Sequence, residues 1–171
     1  MTDLDSKKII INSGAVAWSP CYVGSENIGN GTNIGALSHI GRDVTIGNDC
    51  KIQGSVYISD KTIIGNKVFI GPGSVITNDK YPPSGGEWSP VHIENDVVIG
   101  GNCTIIAGVT LSKGCVIGAG SVVTKDVPPR TMVVGIPAQA KRELSDAVVA
   151  EQRAHARRYE QLAGRHAVLQ S

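Results

Sequence analysis

Residues 28–76 read IGNGTNIGALSHIGRDVTIGNDCKIQGSVYISDKTIIGNKVFIGPGSVI. Ile stands at every sixth place, from Ile28 through Ile34, Ile40, Ile46, Ile52, Ile58, Ile64 and Ile70 to Ile76. Two places before it comes a small, β-branched or thiol side chain, as in Thr32, Ser38, Val44, Cys50, Val56, Thr62, Val68 and Ser74. A single six-residue phase held this long describes short strands, each turning two residues inward and ending at a corner. Three such strands close a triangular coil, and successive coils pair in parallel about 4.8 Å apart. An isolated repeat has no core, so stacking must create it. After an interruption the step resumes at Ile93, Ile99, Ile105, Leu111, Ile117 and Val123. Gly often follows the apolar residue, as at Gly29, Gly35, Gly41, Gly47, Gly65, Gly71, Gly100 and Gly118, and is expected to take positive φ at the corner. Ile10, Val16 and Tyr22 keep the phase without the flanking pattern, which predicts an irregular first coil.

Composition narrows the function classes. The 171 residues carry 16 Lys and Arg against 15 Asp and Glu, so there is no cation excess with which to displace counterions from a nucleic-acid polymer. With 41% hydrophobic and 18% charged residues the chain is not a disordered tail. The first ten residues, MTDLDSKKII, place charges where a secretory signal has its apolar stretch, and no later window approaches the roughly 20 apolar residues of a membrane span. A cytoplasmic protein without membrane insertion is the expectation. Cys50, Cys103 and Cys115 fall in inward slots and read as packed thiols, whereas Cys21 precedes the regular region and receives no function.

The interruption, TNDKYPPSGGEWSPVH at 77–92, carries Pro82, Pro83, Gly85, Gly86 and Pro90, which favour turns over a continued ladder. Tyr81 and Trp88 give this inserted loop two bulky anchors, and a loop held by a rigid scaffold is a common place for binding and chemistry. Register adds two outward lines. One runs His39, Tyr57, Val75, Thr104, Val122; the other runs Asn33, Lys51, Phe69, Val98, Val116. Apolar side chains aligned on the outside predict burial against another copy of the chain.

The hexad run over about residues 20 to 138 resembles the hexapeptide-repeat acyltransferases. That resemblance implies an all-β fold, a left-handed parallel β-helix, with an acetyl-CoA cosubstrate and a homotrimer whose active sites lie between chains. Thr77-Asn78-Asp79 with Pro82 is similar to the TND-x-x-P signature of the nucleotide-sugar 3-amino N-acetyltransferases, which act on dTDP- or UDP-linked amino sugars. The match includes His39 and the segment GAGSVVTKDVPPRTMVVGIPA from Gly118 to Ala138, the latter shared widely among hexapeptide acyltransferases. Many relatives carry Arg or Lys soon after that Pro, where this chain has Pro83-Ser84-Gly85-Gly86. The activity so implied is N-acetylation of a nucleotide-linked 3-amino sugar in cell-surface polysaccharide assembly.

Candidate roles follow from the chemistry of the step. An amine needs orientation more than activation, so Asn78 is expected to accept a hydrogen bond from it. Asp79 would bind the sugar or take a proton through water, and His39 is the candidate general base. Thr77, Lys80, Tyr81 and Trp88 are the candidate substrate contacts. Ala107, Gly108, Ala119 and Gly120 are small enough for a pantetheine arm to approach their corners, and Lys125, Arg130 and Lys141 are candidate phosphate contacts. No metal is expected, since His39 and His92 read as about three coils apart. Two alternatives remain open: O-acetylation of a small hydroxylated substrate with His39 as base, and a non-catalytic β-helix scaffold or binding protein. Residues 1–138 form the β-helix, with the inserted loop at about 77–92, and 139–171 read as a C-terminal helical segment rich in Ala, Glu, Gln and Arg. Leu144, Ala147 and Val148 form one short apolar stripe there and Tyr159 and Leu162 another, while His155 and His166 read as solvent-facing.

Overall fold

A computed structural model describes residues 8–11, 13–145 and 147–148. It is an all-β, left-handed parallel β-helix. Its short strands stack into three sheets of nine, six and four strands, one for each face of the prism. Both outward lines read from the sequence are sheet registers: His39, Tyr57, Val75, Thr104 and Val122 pair in succession on the six-stranded face, and Asn33, Lys51, Phe69, Val98 and Val116 on the nine-stranded face.

The sixth-place residues from Ile28 to Val123 are all buried, as are the slots two places earlier from Thr32 to Ser121. Three polar members of those slots are satisfied by the corner of the next coil, while Thr62 and Ser121 bond to the carbonyl three residues before them, at Ser59 and Gly118. Thr32 Oγ1 donates to the Gly47 carbonyl at 2.8 Å, Ser38 Oγ to Gln53 at 3.0 Å and Ser74 Oγ to Gly100 at 2.9 Å. Cys50 and Cys103 do the same through sulfur, to Gly65 at 3.1 Å and Gly118 at 3.2 Å. Burial, with a smaller contribution from the Glu94 charge, pushes the Cys115 thiol up to about 12, as expected of a packed thiol.

Three expectations are corrected. The Gly that follows the apolar residue does not take the left-handed conformation; that falls three places after the apolar residue, at Gly31, Leu37, Asp43, Asp49 and their successors. The earlier Gly is required by close approach: a Cβ on Gly47 would lie 2.6 Å from the Gly65 backbone, and one on Gly100 2.5 Å from the Ala119 nitrogen. Second, the first coil is out of phase. Ala15 and Ala17 point inward, whereas Ile10 and Tyr22 are exposed. Tyr22 pairs with His39 and Val23 with Ile40 because the chain is one residue short between Val23 and Ile28. Third, residues 139–143 are not helical. Ala138–Glu143 forms an antiparallel strand on Thr131–Gly135 and becomes the last strand of the nine-stranded sheet. An open ladder of backbone groups at that edge outweighs the helical propensity of the sequence. Beyond the strand, Leu144 is buried, its N–H bonded to the Arg130 carbonyl. His155, Tyr159, Leu162 and His166, with most of the expected helical segment, lie outside the described residues. Among the described residues no helix is long and apolar enough to cross a membrane.

Candidate active site

The inserted loop leaves the ladder after Val75–Ile76 and rejoins it at His92–Ile93. Its neck is pinned by backbone bonds. The Ser89 N–H donates to the Asn78 carbonyl at 2.7 Å, and the Ser89 carbonyl accepts from Gly108 at 2.8 Å. Thr77 Oγ1 donates to the Ile105 carbonyl at 3.2 Å, tying the departure point to the coil above. Asp79 holds the loop's first turn, accepting from the Tyr81 N–H at 3.2 Å on one oxygen and the Ser84 N–H at 3.0 Å on the other. Because the chain departs here, the corner of the coil below is not pressed by a regular neighbour, and a cleft of about 400 Å³ opens. Tyr22, His39, Arg42, Tyr57, Ser59, Asp60, Asn78, Asp79 and Trp88 line it.

His39, Asn78, Asp79 and Trp88 were expected from sequence and meet in this cleft. His39 lies between two phenol rings, stacked on Tyr22 at 4.6 Å between centroids and on Tyr57 at 4.8 Å, with interplanar angles of 17° and 14°. That sandwich fixes the imidazole plane, leaving its edges for polar contacts. Asn78 Nδ2 donates to the Asp60 carbonyl at 3.2 Å, which orients the amide. Asp60 is itself clamped: Oδ1 accepts from the Arg42 N–H at 2.8 Å and Oδ2 from Arg42 Nε at 2.9 Å. Partial burial alone would raise the Asp60 carboxyl, but the Arg42 backbone and guanidinium, together with nearby His39, hold it below its ordinary value. The cleft therefore presents an ionised acceptor, an oriented amide and a fixed imidazole.

Other candidates sit outside this group. Lys80 and Tyr81 face solvent at the loop tip, with Lys80 Nζ 5.8 Å from the Tyr81 ring. Trp88 instead carries Lys61 Nζ at 5.4 Å from its centroid. The four small residues split between two corners. Ala107 and Gly108 follow Thr104–Ile105, on the same column of corners as Asn78, whereas Ala119 and Gly120 follow Val116–Ile117 on the column at the opposite edge of the six-stranded face. Ala107 is buried and the Gly108 N–H is committed to Ser89, whereas Ala119 and Gly120 are exposed. Lys125 stands exposed on the Asn78 column, after Val122–Val123. Arg130 and Lys141 are elsewhere, Arg130 within 3.9 Å of Glu143 and Lys141 on the added strand. His92 lies on the four-stranded face, two coils from His39 rather than three.

Sequence reading missed Tyr22, Arg42, Ser59 and Asp60 and took Tyr57 only as part of an outward line. A signal was present: stepping back by eighteen from Asn78 reaches Asp60 and then Arg42, and from Thr77 reaches Ser59. Tyr22 was hidden by the one-residue slip of the first coil.

Two family models match the chain, the hexapeptide repeat of succinyl-transferase over residues 90–125 and the bacterial transferase hexapeptide over 27–60. The 2,3,4,5-tetrahydropyridine-2,6-dicarboxylate N-acetyltransferase of Halalkalibacterium halodurans is 53% identical over 76 residues, which is 44% of this chain and 30% of that protein. The chain thus covers less than a third of that curated relative. Among solved structures, a hexapeptide-repeat containing acetyltransferase from Vibrio cholerae is 30% identical, with a TM-score of 0.53 over 78% of this chain and 72% of its own. PerB from Caulobacter crescentus, solved with CoA and GDP-perosamine, is similar in fold, with 23% identity and a TM-score of 0.55 over 77% of this chain and 56% of its own.

Proposed function

Because the chain belongs to the hexapeptide-repeat acyltransferase family, we propose that it transfers an acetyl group from acetyl-CoA to the amine of a dTDP- or UDP-linked 3-amino sugar, in cell-surface polysaccharide assembly. The observation that carries this reading is the cleft under the inserted loop, where an oriented Asn78 amide lines the same space as His39 and an ionised Asp60. The N-acetyltransferase name of the Halalkalibacterium relative supports the amine, and the GDP-perosamine bound to PerB supports a nucleotide-linked sugar as acceptor, while the choice of dTDP or UDP rests on the TND-x-x-P resemblance.

In this reading the amine nitrogen attacks the thioester carbonyl, a C–N bond forms, the C–S bond breaks and CoA leaves as the thiol. Asn78, tethered through Nδ2, offers its Oδ1 to an amine N–H and so aims the lone pair, a contribution of orientation. His39 takes the proton released as nitrogen becomes an amide and returns one to the departing sulfur, directly or through water. The Asp60 carboxylate favours the imidazolium that forms in between. Asp79, with both oxygens on loop amides, shapes the turn that carries Asn78 and meets the sugar only through remaining lone pairs. Thr77, Lys80, Tyr81 and Trp88 serve as the rim of the acceptor site. For acetyl-CoA, the exposed corner at Ala119 and Gly120 fits an extended pantetheine arm; a Cβ on Gly120 would meet nothing within 4 Å. Lys125, Arg130 and Lys141 would then hold phosphates. Ala107 and Gly108 would border the arm from the Asn78 column, and a neighbouring chain of a homotrimer would bring the two corners to one cleft.

O-acetylation is the second reading, favoured by the placement of Asp60 near His39, which suits a base that must deprotonate an alcohol. Free-thiol release from acetyl-CoA with matched 3-amino and 3-hydroxy nucleotide sugars tests both. Turnover on the amine with little on the alcohol is expected. Transfer to the alcohol alone would replace the first reading with the second, and release with neither across the dTDP and UDP series would remove both.

A further inference from the structure

Ser59 breaks the repeat at a place where Gly is usual, the residue directly after the buried Ile. One coil down, the equivalent residue is Gly41, where a Cβ would meet the Asp60 nitrogen at 2.6 Å. A side chain is tolerated at Ser59 because the chain above it departs into the inserted loop. Glycine would serve the corner equally well, as Gly41 demonstrates, so the backbone does not need this hydroxyl. Ser59 is 3% exposed, and its Oγ is shut from solvent without any hydrogen-bond partner. The neighbouring polar slots differ: Thr77 Oγ1 is bonded to Ile105, and Thr62 Oγ1 to the Ser59 carbonyl. A buried hydroxyl left unpaired is destabilising, and a serine hydroxyl reorients by rotation about χ1 between staggered wells. The residue lines the cleft together with Asp60 and Asn78.

We propose that the Ser59 hydroxyl is a specificity-determining contact that recognises a hydroxyl on a carbon next to the acceptor's amine. This rests on the amino-sugar reading above and extends it to the substrate's neighbouring group. The chemistry of the pair selects such a group. The Asp60 carboxylate is held ionised by Arg42 and can only accept, whereas a serine hydroxyl can donate. A substrate hydroxyl satisfies both, donating to Asp60 and accepting from Ser59; an ether lacks the donor and a methylene lacks both. Ser59 with no ligand remains unpaired, so binding of the matched acceptor recovers a bond the empty cleft forgoes.

The test uses the full chain and calorimetric titration of a dTDP-linked 3-amino-3-deoxyhexose, its two monodeoxy counterparts at the carbons flanking the amine, and the UDP-linked equivalents. Wild type should favour the hydroxylated sugar over one of the deoxy counterparts by about 10- to 100-fold. In Ser59→Ala, and in Ser59→Gly, which restores the usual residue of the repeat, that ratio should fall to near one. A ratio that persists in both variants, or none in wild type, overturns the inference, as does failure of wild type to bind any of these sugars. Thiol release is read in parallel. Binding with the expected ratio but no acetyl transfer would sink the proposed reaction while leaving the Ser59 contact supported.

Discussion

Asp60 shows how one residue can be both structural and chemical. Its side chain closes a fork with Arg42 across two coils while its backbone carbonyl holds the Asn78 amide. The carboxyl lies below its ordinary value in the folded chain, despite the opposing effect of partial burial. A depressed carboxylate contributes stability that is present above the unfolded value, about 4, and is lost as pH falls through the folded one. Asp60→Asn should therefore flatten the acid limb of the stability curve, with wild type and variant converging at low pH and separating towards neutrality. Denaturant midpoints measured from pH 2 to 7 check this; parallel curves would mean the fork contributes no pH dependence. The same residue was invisible to a reading centred on motifs, because an Asp at a corner looks like any solvated turn residue until the eighteen-residue step places it under Asn78. His39, by contrast, was legible because it interrupts an outward line of otherwise ordinary strand residues.

The strands were legible wherever the hexad was complete, since an Ile facing a prism interior has no alternative place to go. The corners were less so. Gly was read as a conformational residue, yet the positive φ belongs to Leu37, Asp43 and Lys61, and Gly100 is fixed by contact with the next coil. This distinction is testable within the element. Gly100→Ala should destabilise by about 1–3 kcal/mol, because the added methyl has no room against the Ala119 nitrogen. Thr124→Ala, at the same hexad place on the last coil, where the side chain is exposed, should stay within about 0.5 kcal/mol. Equal losses in thermal melts would contradict the close-approach account. The first coil is irregular, as its missing flanking pattern predicts, but its phase and the Ala138–Glu143 strand were misread for a shared reason. In both, pairing with a neighbouring strand determines the outcome, and neither a one-residue deletion nor an open sheet edge is visible in local propensity.

At the scale of the molecule, the prism gives three flat faces and one interruption, and the interruption makes the cleft. Phe69 and Val98 on one face and Val75 and Val122 on another are only half covered by their own chain. A homotrimer would bury such lines and bring the Ala119 corner of one chain towards the Asn78 column of the next. Light scattering at assay concentration should give three times the 17.9 kDa chain mass; an active monomer would contradict shared clefts. The most direct test of acyl transfer in this cleft is kcat/KM of Asn78→Ala on a 3-amino nucleotide sugar, with assembly and acetyl-CoA KM measured alongside. A fall of about 10- to 1000-fold with the donor KM little changed is the predicted result, since orientation at the reacting nitrogen is what the amide supplies. Undiminished turnover in a correctly assembled variant would contradict the placement of the reaction beneath the inserted loop.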